Sequence, residues 1–170
     1  MRLISKFLMA TAVVITGMSV ASAQDAKPAM EISGNVAAPL QLTATDLQGM
    51  VRSSVSIPNR SGDGIRRYEG VALWRLLDSV GVSTEKLNAK DIAKRYLTVR
   101  GADGFEVVFS LAELGRAYAE DEVILADRMD GQPLPASRGS FQIIVPGDLR
   151  PTRNCYQVIA LTVHETNKGQ

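Results

Sequence analysis

Chemistry in this chain has few side chains to draw on. One cysteine, Cys155, and one histidine, His164, are the whole stock of thiol and imidazole groups in 170 residues. A zinc site closed by several Cys and His ligands, an internal disulfide and a catalytic pair with a spare histidine are therefore excluded. His164 stands beside Glu165 near the end of the sequence and reads as a surface residue. No serine occupies a G-x-S-x-G arrangement, and the single histidine is poorly placed to be its base, so nothing marks a hydrolase. Asp103-Gly104 and Asp130-Gly131 read as turns rather than as paired acids. No side chain stands out as catalytic or as a metal ligand.

Arginine makes the more informative pattern. Arg60, Arg66 and Arg67 lie in or beside the glycine-containing loop 59–64, and Arg138, Arg150 and Arg153 lie around the last two strand ends. Guanidinium forks bind phosphate or sulfur oxyanions bidentately, and glycine lets backbone N–H groups approach an anion closely. If the two regions converge they form an anion-binding rim; otherwise they are solvated charge balanced by scattered acids.

What must position these residues is one globular domain. The chain is 45% hydrophobic and 22% charged, with 19 Lys+Arg against 18 Asp+Glu. Such a composition excludes disorder and coiled coil, and the absence of a cationic excess argues against a nucleic-acid-coating protein. The first residues are a different matter. Arg2 and Lys6 precede a mostly apolar run over 7–20, and Ala21-Ser22-Ala23 offers small residues at the positions read by signal peptidase. The run is too short to span a bilayer, so cleavage before Gln24 and export to the periplasm, with no membrane span left, are expected. The mature balance is then 17 basic residues, 19 less Arg2 and Lys6, against 18 acidic, or −1. An unpaired thiol in an oxidising compartment is expected to be buried and inert.

Residues 24–29 read as a flexible lead-in, 30–165 as the domain and 166–170 as a polar tail. Apolar alternation predicts strands over 30–36, 51–57, 96–99, 105–109, 122–126, 141–145 and 156–164. A short helix over 46–50 is expected with Thr45 as its cap. Leu73, Leu76, Leu77 and Val80 follow helical spacing, and Gly81 is placed as the stop. Residues 84–93 are weakly helical. Ser110 and Glu113 form a capping-box signature for a helix reaching Tyr118. Residues 68–71 read as the approach to the helix at Leu73, and Pro133 and Pro135 as an irregular link. About seven short strands and a few short helices without βαβ spacing predict an α+β domain with a mixed sheet.

Several segments together carry a resemblance: Ile32-Ser33-Gly34-Asn35-Val36, Tyr68-Glu69-Gly70-Val71-Ala72-Leu73, residues 102–114, Leu125-Ala126-Asp127 with Asp130-Gly131-Gln132-Pro133-Leu134, and residues 139–148. In this order, over about 30–164, they resemble the sulfite-oxidase-type molybdopterin-binding domain of oxidoreductases. The resemblance implies an α+β core and, in catalytic members, molybdenum held on a pterin cofactor through one cysteine thiolate. It places that cysteine in the stretch that here reads Ser56-Ile57-Pro58-Asn59-Arg60, where there is none, and Cys155 falls in the segment matching the final strand. Thiolate is a soft, strongly donating ligand, and a seryl oxygen is a different electronic environment.

The resulting candidates for holding a pterin cofactor or oxyanion are Ser56, Asn59, Arg60, Arg66, Arg67, Arg150 and Arg153. Molybdopterin is the cofactor implied, without the expected molybdenum ligand. Two readings follow: an oxidoreductase-like domain in the periplasm, or a non-catalytic module on the same scaffold that binds a small anionic ligand or a protein partner. Removing Arg60 or Arg153 is expected to weaken anion binding and leave thermal stability almost unchanged.

Overall fold

The computed structural model describes residues 30–59 and 62–166. The expected leader over 1–23, the lead-in over 24–29, Arg60 and the last four residues of the tail lie outside the described residues.

The chain enters as β1 (Met30–Gly34) and turns at Gly34, whose φ is +91°. A Cβ there would stand 2.2 Å from the Val163 carbonyl oxygen, so only glycine fits the turn. After β2 (Leu40–Leu42) comes α1 (Ala44–Gln48). Its cap is Thr43, two residues before the expected Thr45: Thr43 Oγ1 accepts from Asp46 N at 3.2 Å while Asp46 Oδ2 accepts from Thr43 N at 2.8 Å. That reciprocal box satisfies two backbone donors that a Thr45 cap would leave open.

Next come β3 (Ser53–Pro58), β4 (Ile65–Ala72) and α2 (Leu73–Ser79). At eight residues β4 is one of the two longest strands, although its sequence reads only as an approach to α2. Arg66, Arg67 and Glu69 blur its alternation, and it is made a strand by pairing with neighbours on both edges. The weakly helical 84–93 reduces to one turn, α3 (Ala89–Ile92), capped by Asn88. Then follow β5 (Arg95–Gly101), β6 (Glu106–Ser110) and α4 (Leu111–Leu114). The Ser110/Glu113 box forms as expected, but α4 stops four residues short of Tyr118, because Gly115 is extended and packs against Thr84. Finally come β7 (Ile124–Met129), β8 (Gln132–Pro133), β9 (Gln142–Ile144) and β10 (Val158–Glu165). Asp130 and Gly131, with φ of 52° and 75°, make the tight β7–β8 turn. The link at Pro133 is thus partly a strand.

These strands form two five-stranded sheets rather than one. The first has the order β2-β1-β10-β5-β6 and is mixed, since β1 runs parallel to β10. The second is antiparallel, β3-β4-β7, with β8 and β9 sharing the far edge of β7. Side chains alternate across a strand, so Leu125 and Ile143 enter the large core shared with Ile32, Leu97, Phe109, Leu161 and the α2 leucines, whereas Ile124, Ala126, Ile144 and Tyr68 form a smaller cluster. The β7–β9 part of the second sheet is therefore buried on both faces, with Asp127 held by Arg52 at its margin, whereas Ser54, Ser56 and Arg67 of β3 and β4 are exposed.

Three surface carboxyls are held below the ordinary aspartate value. Asp46 accepts from the Thr43 backbone and hydroxyl, Asp91 pairs with Lys94 and Asn88, and Asp130 accepts from the Arg67 backbone and Arg66. A depressed folded-state pKa contributes stability that is complete above the unfolded value and is lost as pH falls through the folded one. Melting temperature is therefore expected to be flat from neutrality to about pH 5 and to fall below about pH 4. Asp46→Asn together with Asp130→Asn should flatten that acid limb in a pH series of thermal melts.

Candidate functional site

Ser56 and Arg67 stand directly opposite each other in the β3–β4 ladder and share one face of the sheet. Both are exposed. The Arg67 guanidinium donates to Ser54 Oγ at 3.0 Å and lies 3.6 Å from Glu69. Asn59 closes the loop through its backbone N–H to the Gly64 carbonyl at 2.9 Å. Arg66 is paired with Asp130 at 2.6 Å. Arg150 is exposed at the start of a single 3-10 turn, and Arg153 ends that turn.

Arg153 is engaged on three of its nitrogens. Nε and Nη2 donate to Asp148 at 2.9 and 2.6 Å, and Nη1 donates to Glu113 Oε2 at 2.6 Å. Its guanidinium also lies 4.9 Å from the Phe109 ring centre. Glu113 therefore does two things: Oε1 completes the α4 cap by accepting from Ser110 N, and Oε2 anchors the 147–153 loop. The expectation that Arg153 can be removed without loss of stability gives way here, because the residue joins two elements.

Of the two arginine regions, only Arg66 and Arg138 come to a common residue, Tyr68, while Arg153 is tied to Glu113 and Asp148. Arg138 reaches back to the second sheet: its Nη1 donates to Gln142 Oε1 at 3.0 Å and to the Tyr68 hydroxyl oxygen at 3.5 Å. Its guanidinium lies 4.8 Å from the ring centre of Tyr156. The charges of Arg138, Arg66 and Asp130 all act on the Tyr68 hydroxyl. Tyr68 on β4 and Gln142 on β9 point to the same side, since Tyr68 and Ala126, the partner of Gln142, belong to one apolar cluster.

The balance of polar groups at this point is uneven. Gln142 is fully buried and its Nε2 has no acceptor among the described residues. Tyr68 is 4% exposed, and burial pushes its pKa above the ordinary phenol value, so it stays a neutral O–H donor. Arg138 has no carboxylate in ion-pair range among the described residues. Donors outnumber acceptors, and an anion is the group that redresses this. The same 136–140 segment borders a cavity of about 420 Å³ lined by Asp127, Leu134, Gly139 and Ser140. Spacing alone does not single out Gln142, which reads as a strand residue, or Tyr68, which reads as part of the approach to α2; Arg138 is visible as one of six arginines.

Cys155 is fully buried, and burial pushes its thiol up to about 11. His164 stacks on Tyr96 with ring centres 4.8 Å apart, away from the Arg138 cluster on the first sheet. Among the described residues no three His, Cys, Asp or Glu side chains come together as metal ligands. No helix among them is long and apolar enough to cross a membrane.

Comparison with known proteins agrees with this architecture. The sulfane dehydrogenase SoxCD from Paracoccus pantotrophus superposes with a TM-score of 0.63 at 22% identity, over 81% of this chain and 38% of that one. This chain thus spans well under half the length of that solved relative. No curated protein matches the sequence. The sequence model described as "Oxidoreductase molybdopterin binding domain" matches residues 18–149. With more than half its length matched in this way, and with the α+β fold of a solved relative, the chain belongs to the oxidoreductase molybdopterin-binding domain family.

Proposed function

We propose that this chain is an exported member of the family that binds an oxyanion-bearing ligand, such as a pterin phosphate, on the donor cluster around Arg138, and that it holds no molybdenum through a protein thiolate. The observation that carries the reading is the donor surplus: a buried Gln142 amide without an acceptor, a neutral Tyr68 hydroxyl and a guanidinium without a carboxylate. A buried donor left unsatisfied costs about 1–3 kcal/mol. The acceptor-only oxygens of a phosphate or sulfur oxyanion remove that cost and neutralise Arg138.

A molybdenum-pterin group would meet these residues unequally. Its anionic part fits the Arg138 cluster. Its metal does not fit, because the strand that carries the thiolate by resemblance offers the exposed hydroxyl of Ser56. The one thiol is buried beside Gly101 at the end of the other sheet, protonated at neutral pH. The reading is therefore that of a ligand-binding module of the periplasm, with an anionic small molecule and a periplasmic protein as its partners.

Protein secreted by its own host tests this. A mass beginning at Gln24, saturable binding of sulfate or phosphate in calorimetry, and molybdenum far below one atom per chain by elemental analysis are the expected results. Stoichiometric molybdenum would overturn the thiolate-free reading, and absence of any oxyanion or pterin binding would overturn the binding module.

A further inference from the structure

Trp74 is the only tryptophan in the chain and the second residue of α2. Its Nε1 donates to Glu122 at 3.0 Å, which fixes the indole against the second sheet. The Arg75 guanidinium carbon lies 4.2 Å from the indole centre. This stacking holds Arg75 on the ring and away from Asp78, one turn further along the same helix, with which it makes no ion pair. Neither residue forms an ion pair with any other group among the described residues. The charge of Arg75 acts on Glu122 from beyond ion-pair range, as does that of Arg116, which lies 5.4 Å from the same indole, and Arg75 Nε is buried without an acceptor.

Both charges line one groove of about 490 Å³ between the end of α1 and α2. Its other walls are mainly apolar, with Met50, Val51, Val71 and Trp74; the one further polar side chain, Ser79, donates its hydroxyl to the Leu76 carbonyl at 2.7 Å. Val51 is left 63% exposed. The groove therefore offers one cation and one anion, neither in an ion pair, on adjacent turns of one helix, where Cβ atoms stand roughly 5–6 Å apart, over an apolar floor.

We infer that this groove binds a free apolar α-amino acid, its carboxylate on Arg75, its ammonium on Asp78 and its side chain against Met50, Val51 and Trp74. The charges select the class. A simple carboxylate would meet Asp78, a simple amine would meet Arg75, and a neutral apolar molecule would leave both charges unmatched. A zwitterion satisfies both ends at no net charge. The volume lies in the range of small-molecule sites, which combine apolar walls with a few placed polar groups.

The single tryptophan makes the test direct. The mature protein is titrated with L-leucine while Trp74 fluorescence is followed, with calorimetry in parallel. Saturable leucine binding is expected, with glycine, 4-methylpentanoate and 3-methylbutylamine each at least about tenfold weaker, the loss of one charge-assisted contact or of the apolar contact. Arg75→Gln and Asp78→Asn should each weaken leucine by a similar factor. Asp78 is exposed, so its variant keeps the fold, and sulfate binding at Arg138, which shares no residue with the groove, should be unchanged in both. The proposal falls if leucine gives no saturation by either method, if Asp78→Asn binds it as tightly as the parent, or if either single-charge analogue matches leucine.

Discussion

Arg138→Met is expected to lower the affinity for sulfate and phosphate by roughly ten- to a hundredfold, measured by isothermal titration, while the fold survives. A hydrogen bond to a charged group contributes about 1.5–3 kcal/mol, and each 1.4 kcal/mol is a factor of ten. Arg138 is the one cation of the cluster free of a carboxylate; Arg66, the other cation near Tyr68, is already paired with Asp130. Methionine keeps an apolar stem of similar length while removing the guanidinium and its stacking on Tyr156. Tyr68→Phe and Gln142→Leu sharpen the result. Each removes one donor and should weaken the anion severalfold. Gln142→Leu should change the melting temperature little, because it deletes a buried amide nitrogen without a partner together with the Oε1 that accepts from Arg138, two effects of opposite sign. Equal anion affinity in Arg138→Met and the parent would place the anion elsewhere.

Arg153→Ala should produce the largest loss of stability among the arginine variants, about 2 kcal/mol or roughly 6 °C in a thermal melt. Three charge-assisted hydrogen bonds vanish together, and Glu113 and Asp148 are left facing each other without their shared cation. Part of the effect is indirect, since the same Glu113 carboxylate caps α4. Arg150→Ala is the control. Arg150 sits three residues away and is exposed, so its removal should leave the melt within error. If the two variants melt at the same temperature, Arg153 is not the strut that joins α4 to the 147–153 loop.

The contrast between these two arginines shows where legibility ended. In the sequence Arg150 and Arg153 are equivalent, two cations flanking a proline before the last strand. Nothing in their neighbourhood says that one of them meets Glu113, 40 positions earlier. Likewise Tyr68 and Arg138 are 70 positions apart, and the strand that carries Tyr68 is recognisable only once β3 and β7 pair with it. By resemblance Ser56 belongs to the cofactor segment, yet its neighbours on the sheet face are Arg67 and Ser54, across the sheet from Tyr68.

By itself the sequence determined what short-range forces decide. The leucines of α2, the Ser110/Glu113 box, the Asp130-Gly131 turn, the burial suited to Cys155 and the ordered segments of the family all depend on residues a few positions apart, and all of these elements are found in the fold. Tertiary structure alone decided which arginine is a strut and which is left with unused donors, because charge pairing depends on strand order and register across two sheets. A guanidinium has the same chemistry at every position. Its role is set by whether the fold brings a carboxylate to it, as for Arg153, or a buried amide and a phenol, as for Arg138.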